Sequence, residues 1–348
     1  MDTSTDIALT VDRDKSGRVV TAAGPGLVDL QVNGYAGVSF NHPVEKITLD
    51  GVRGACEKMA GRGVVAILAT LTTDPVEDIV ARARHLASLR AEDELLGSMI
   101  AGLHIEGPMI NAAEGPRGAH PAEHVIAPAD APSFLDDVQE ASGGMVRLLT
   151  LAPELPGAME LIAKASGDGI VVALGHHEAD AATIAQAVAA GATMCTHLGN
   201  GSHAMLPRLD NYVQHQLADD RLVAGFIADG HHIPFPTLKN FLRAKGTQRS
   251  ALVTDAVLVA DMPPGSYGSG VRTRMLSTDG SVRLKGTPYL AGSALTLDKA
   301  VLNVAAHCDV SFEAAWAMAS TQPAEMVGLA RAKRVEVEVS DEGFSRRA

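Results

Sequence analysis

The chain has 348 residues and a mass of 36.2 kDa, room for two ordinary domains or one large α/β barrel. Hydrophobic residues make up 46% and charged residues 20%, which excludes a disordered chain, and 3% aromatics leave no stacking platform for single-stranded nucleic acid. A net charge of −12 excludes a general polyanion binder. No apolar run approaches the ~20 residues that cross a bilayer. The N-terminus is polar and shows no leader pattern. Cys56, Cys195 and Cys308 are widely spaced, which fits a reducing compartment, so a cytoplasmic protein without membrane or nucleic-acid partners is expected.

In chain order, residues 2–23 read as two or three short strands with a turn at Lys15-Ser16-Gly17. Apolar runs of strand length then recur at 27–32, 64–70, 100–105, 146–151, 170–174, 193–197, 222–228 and 251–254. Helical periodicity lies between most of them, at 75–90, 157–166, 180–190 and 236–245. Thr72, Thr73 and Asp74 are cap candidates for the first of these helices. The interval 111–144 is less regular. Residues 262–289, rich in Gly, Thr and Ser, read as a β-hairpin excursion, followed by helices at 295–307 and 311–320. The tail alternates apolar and charged residues at 334–339, the pattern of one more strand.

Eight strands with helical connectors predict an α/β fold, a (β/α)8 TIM barrel over 25–332, with a small β-domain remnant from 1–24 and 333–348. An open doubly wound sheet is the alternative, but the glycine fingerprint of its nucleotide site is missing. In a barrel, chemistry sits at the C-terminal strand ends. Six of these ends carry ionisable or amide side chains. Glu106, His176, His197 and Asp255 are expected to converge at the mouth. One carboxylate and two imidazoles can hold a divalent metal, zinc by default, with an open position for water. Asp255 would then take the proton of that water and pass it to a leaving group.

The runs GLVDLQVNG (26–34), GLHIEGP (102–108), LAPE (151–154), GH (175–176), THL (196–198), IADG (227–230), LVTDA (252–256) and LAGSALT (290–296) follow in this order. On these eight motifs the chain resembles the N-acetylglucosamine-6-phosphate deacetylases of the amidohydrolase superfamily. The resemblance covers about residues 26–329 and implies deacetylation of an N-acetylhexosamine phosphate to the hexosamine phosphate and acetate. It implies Glu106, His176 and His197 as metal ligands and Asp255 as base and then acid. Gln31 and Asn33 stand where other superfamily members place a His-x-His pair, so they look like vestigial second-metal positions. One divalent metal per subunit is implied, Zn2+ by default and Fe2+ as an alternative. His120 resembles the histidine that contacts the acetyl carbonyl. Asn200, Gly201, Arg208 and His232 resemble substrate- and phosphate-binding positions. In the family the arginine can come from a neighbouring subunit, so a homodimer with a shared active site is implied.

The chain also departs from the family pattern. Gly199 replaces a Tyr or Phe and removes a pocket wall, His177, His203 and His231 are additions, and the closing C-terminal strands are reduced. A different N-acyl sugar or N-acyl amino acid is therefore a second candidate substrate. A metal-free sensor or scaffold barrel is the reading outside the enzyme class.

Overall fold

The structure is a computed structural model that describes residues 8–268, 273–287, 289–329 and 333–347. Strands β1 (Thr10–Arg13) and β2 (Val19–Pro25) form an antiparallel pair, and β3 (Leu27–Val32) enters the barrel. The two-residue strands β4 (Gly34–Tyr35) and β5 (Val38–Ser39) follow. Then α1 (Leu49–Gly61) leads to β6 (Val64–Thr72), and α2 (Val76–Glu92) and α3 (Glu94–Met99) lead to β7 (Ile100–Glu106). Next come α4 (Phe134–Ser142), β8 (Val146–Leu151), α5 (Ala158–Gly167), β9 (Val171–Leu174), α6 (Ala181–Ala190) and β10 (Ala192–Cys195). The last barrel units are α7 (Tyr212–Ala218), β11 (Val223–Phe226), α8 (Phe235–Lys245) and β12 (Ser250–Leu252). An antiparallel sheet of β13 (Gly265–Tyr267), β14 (Arg274–Leu276) and β15 (Val282–Leu284) interrupts the chain before α9 (Leu297–His307), α10 (Phe312–Met318) and α11 (Thr321–Met326). Strands β16 (Arg334–Ser340) and β17 (Gly343–Arg346) complete it.

Eight parallel strands run in the order β3-β6-β7-β8-β9-β10-β11-β12. The two ends approach closure through a parallel bridge between Val32 and Ala256 and the Asn33 N–H donating to the Ala256 carbonyl at 2.8 Å. This is the expected (β/α)8 architecture. All six residues of β3 are buried, because helices cover one face and the barrel interior the other. Asp29 and Gln31, two apart, share the inward face.

The tail strand β16 pairs with β2, and its alternating Val335 and Val337 turn inward. Trp316 joins this four-stranded sheet to the barrel: its indole N–H donates to the Pro25 carbonyl at 2.9 Å and its ring stacks on Phe344. The part of the expected N-terminal segment before residue 8 lies outside the described residues.

Local differences from the sequence reading have physical causes. The strand expected at 193–197 stops at Cys195, because His197 takes a left-handed backbone (φ +25°). Pro75, rather than Thr72, Thr73 or Asp74, stands at the N-cap position of α2, and Asp74 pairs with buried Arg82 at 2.7 Å. The described residues of the excursion expected at 262–289 carry three strands rather than two; residues 269–272 and 288 of it lie outside them. The irregular interval 111–144 contains α4. Among the described residues, no helix is long and apolar enough to cross a membrane.

Helix α7 is held from behind by Lys245, which is fully buried and donates to the carbonyls of Gln216 at 2.6 Å and Asp219 at 2.7 Å. Lys245→Met removes this donor from both carbonyls, of which Asp219's keeps only the Leu222 N–H at 3.2 Å, and should cost about 2–3 kcal/mol, read as a lowered urea midpoint at unchanged slope.

Candidate active site

Glu106 ends β7 and is 2% exposed. Its Oε1 lies 3.2 Å from His176 Nε2 and 2.9 Å from His197 Nε2, and it accepts from Gln31 Nε2 at 2.9 Å. His176, His197 and Asp255 each follow a barrel strand by two or three residues. All three take left-handed backbones, with φ of +54°, +25° and +50°. Such non-glycine conformations are strained, and they turn these side chains back across the barrel mouth.

The donor set fits a divalent cation. Pro116 O lies 2.7 Å from His176 Nδ1, so Nδ1 carries a proton, and Nε2 faces the Glu106 carboxylate, where it can donate a second proton or offer its lone pair to a cation. Without one or the other, two lone pairs would face each other at 3.2 Å. His197 Nδ1 is buried without a partner among the described residues. His120 joins the cluster: its ligand atom and those of Glu106 and His176 all lie within 4.8 Å of one another. Thr73 Oγ1, at 2.8 Å from His120 Nδ1, holds that ring.

The electrostatics separate the two carboxylates. Burial alone would raise Glu106, but hydrogen bonds and charge from His176 and His197 hold it well below the usual carboxylate range. Desolvation, followed by the charge of Glu106, pushes Asp255 up to about 6. His197 is raised because its hydrogen bond and charge pairing with Glu106 outweigh burial. Burial, then the charge of His176, pushes His120 down to about 3, so it is a neutral imidazole near neutral pH.

Gln31 and Asn33 turn their amide N–H groups toward the carboxylates. Gln31 Nε2 donates to Asp255 Oδ1 at 3.1 Å as well as to Glu106, and Asn33 Nδ2 donates to Asp255 Oδ1 at 2.6 Å. His232 faces the same mouth, oriented by Asp229, whose Oδ2 lies 2.7 Å from His232 Nδ1. Asp229 Oδ1 also accepts from the backbone N–H groups of His231 and His232.

Asn200 Nδ2 donates to the His197 carbonyl at 3.1 Å. Gly201, with φ +57°, passes so close to His176 that a Cβ there would lie 2.7 Å from Nδ1. Arg208 is not brought to the cluster. It sits on an exposed loop without a hydrogen bond or ion pair among the described residues, between Met205 and Leu209, which are 89% and 80% exposed.

The remaining motif departures find structural places. A Cβ at Gly199 would point at Phe241 and Ile233, so α8 supplies an aromatic ring on that side. The His203 N–H donates to the Tyr212 hydroxyl at 2.9 Å. His231 Nε2 donates to the Asp279 carbonyl at 2.8 Å, and the Tyr289 hydroxyl bonds Glu114, so the 262–289 excursion is tied to the rim at two points. Sequence reasoning missed Thr73, Pro116 and Asp229. Only Asp229 left a signal, the i,i+3 spacing to His232 within one turn.

The Amidohydrolase family model matches residues 23–337. An N-acetylglucosamine-6-phosphate deacetylase from Bos taurus is 35% identical over 322 residues, 89% of this chain and 75% of that protein. An N-acetylgalactosamine-6-phosphate deacetylase from Shewanella sp. (strain ANA-3) is also 35% identical, over 87% of this chain and 73% of its own length. A mutant N-acetyl-D-glucosamine-6-phosphate deacetylase from Mycobacterium smegmatis, solved in complex with N-acetyl-D-glucosamine-6-phosphate, superposes with a TM-score of 0.82. It is 29% identical, over 92% of this chain and 84% of that one.

The closeness of Gly201 to His176 is testable. Gly201→Ala forces the loop off the His176–Pro116 contact and should weaken zinc binding about ten-fold, measured by chelator competition.

Proposed function

The chain belongs to the amidohydrolase family, among the N-acetylglucosamine-6-phosphate deacetylases, and we propose on that premise that its barrel mouth hydrolyses the N-acetyl group of N-acetylglucosamine 6-phosphate, or of its galacto epimer, to acetate and the hexosamine phosphate. The observation that carries this reading is the convergence of His176 and His197 on one oxygen of Glu106, with Asp255 joined to the same carboxylate through Gln31. Equal identity to a glucosamine- and a galactosamine-type relative keeps both epimers in the reading.

Glu106, His176 and His197 would hold one divalent metal per subunit; the nitrogen-rich set suits Zn2+, with Fe2+ as the alternative. When bound, such a cation polarises a carbonyl and lowers the pKa of water toward neutrality. Asp255 removes the proton of the attacking water and returns it to the departing amine, a role that suits a carboxyl raised to about 6. Neutral His120 hydrogen-bonds the acetyl carbonyl. The amides of Gln31 and Asn33 take the place of a second metal by donating to the carboxylates instead.

His232, Asn200 and Gly201 line the phosphate end. The exposed loop bearing Arg208, Met205 and Leu209 supports a homodimer in which Arg208 reaches the phosphate in the partner's site. The reading includes a cytoplasmic enzyme whose small β-unit, 1–24 with 333–348, flanks the barrel 25–332.

Asp255→Asn should lower acetate release about 1,000-fold while metal content stays at the wild-type level. In the wild type, kcat/KM should fall as pH drops through about 6, because protonating Asp255 removes the base. Retained turnover in the variant sinks this assignment. Arg208→Ala should raise KM for the 6-phosphate substrate ~10- to 100-fold and leave the unphosphorylated sugar unaffected, read from paired kinetics.

A further inference from the structure

The interiors of such barrels are usually filled by layers of branched apolar side chains. Below the ligand cluster this chain instead places a polar layer. Thr70, His104 and Thr150 are 0% exposed and Thr196 is 4% exposed. The layer is a connected chain of hydrogen bonds. The Val32 N–H donates to Thr70 Oγ1 at 3.0 Å, and Thr70 Oγ1 lies 3.3 Å from His104 Nδ1. His104 Nε2 lies 2.8 Å from Thr150 Oγ1, which lies 2.6 Å from Thr196 Oγ1. Strands β3, β6, β7 and β8 are thereby stitched to the residue that follows β10. Each ring nitrogen of His104 faces a threonine hydroxyl, and a hydroxyl can donate or accept, so both nitrogens are paired.

A buried polar group costs free energy unless it is paired, so a layer of four needs a reason beyond filling space. Position supplies that reason. His104 precedes Glu106 by two residues on one strand, hence on the same face. Thr196 immediately precedes His197. Gly175, immediately before His176, is clasped by the layer: a Cβ there would come within 2.8 Å of both Thr150 Cγ2 and Thr196 Cβ. Each of the three proposed ligands thus emerges one or two residues above a point that the layer holds. Two of them leave it on strained left-handed backbones that need such anchoring.

We propose that His104 is a positioning residue, the hub of a Thr70–His104–Thr150–Thr196 layer that sets the register of Glu106, His176 and His197 toward their metal. It acts on the strands that carry the ligands and touches no substrate. The inference rests on the proposed metal-dependent deacetylase.

The test uses the full chain. Thr150→Val keeps the volume and removes the hydroxyl facing His104. His104→Leu removes the hub, and His104→Gln keeps a donor and an acceptor. Zinc affinity is measured by chelator competition, and kcat and KM by acetate release from N-acetylglucosamine 6-phosphate. Thr150→Val and His104→Leu should each weaken zinc binding about ten-fold or more and lower kcat with KM unchanged, and His104→Gln should recover most of the loss. Lys245→Met, destabilised at a distance, should keep wild-type zinc affinity and separates positioning from general instability. If His104→Leu does not fold, Thr150→Val decides. Wild-type zinc affinity in Thr150→Val, or a loss matched by Lys245→Met, overturns the proposal. If the wild type releases no acetate, the deacetylase reading fails, while the zinc competition still decides the role of the layer.

Discussion

A carboxylate 2% exposed to water cannot stay charged without partners, and Glu106 is such a carboxylate. Its Oε1 gathers Gln31 from β3, His176 from beyond β9 and His197 from beyond β10. The geometry of the barrel mouth follows from that need. Three strand ends must present their polar atoms to one oxygen, and two of them do so on backbone conformations that a non-glycine residue rarely accepts. Asp255 stands close enough to feel the same charge. Gln31 lets the two carboxylates coexist by donating to both. The result is one carboxyl held low and one raised to about 6, the separation that assigns different tasks to two acids in one site.

Around this centre, three rings have a partner that sets their orientation. Pro116 holds His176, Thr73 holds His120, and Asp229 holds His232. The residue before Asp255 is held in a similar way: the Thr254 hydroxyl donates to buried Asp29 at 2.6 Å and its N–H donates to the same carboxylate. The net charge of −12 gives an anionic substrate no general attraction. Cationic reach at the mouth has to be local, and Arg208, the arginine expected to supply it, stands on an exposed loop away from the cluster.

How much was legible depended on the distance over which a contact is made. The barrel strands were legible because strands buried on both faces read as short apolar runs, and polar residues at their C-terminal ends stand out against them. Glu106, His176, His197 and Asp255 were found in this way. Pro116 and Thr73 were not. They lie 60 and 47 residues from the rings they hold, and neither residue type announces such a role. Helix α4 was hidden in an irregular interval rich in Gly, Pro and Ala. The early end of β10 was hidden because Thr196 and His197 have the composition of a strand and leave it only to reach Glu106.

By itself the sequence determined the alternation of elements, hence the barrel, and the set of polar residues at its strand ends, since period and composition are local properties of the chain. Tertiary structure alone decided which nitrogen faces which oxygen. It decided that Gln31 and Asn33 act as donors to carboxylates, that His120 packs within reach of Glu106 and His176, and that a threonine–histidine layer lies beneath them. Those outcomes depend on hydrogen bonds between strands far apart in sequence, which only the closing of the barrel brings together.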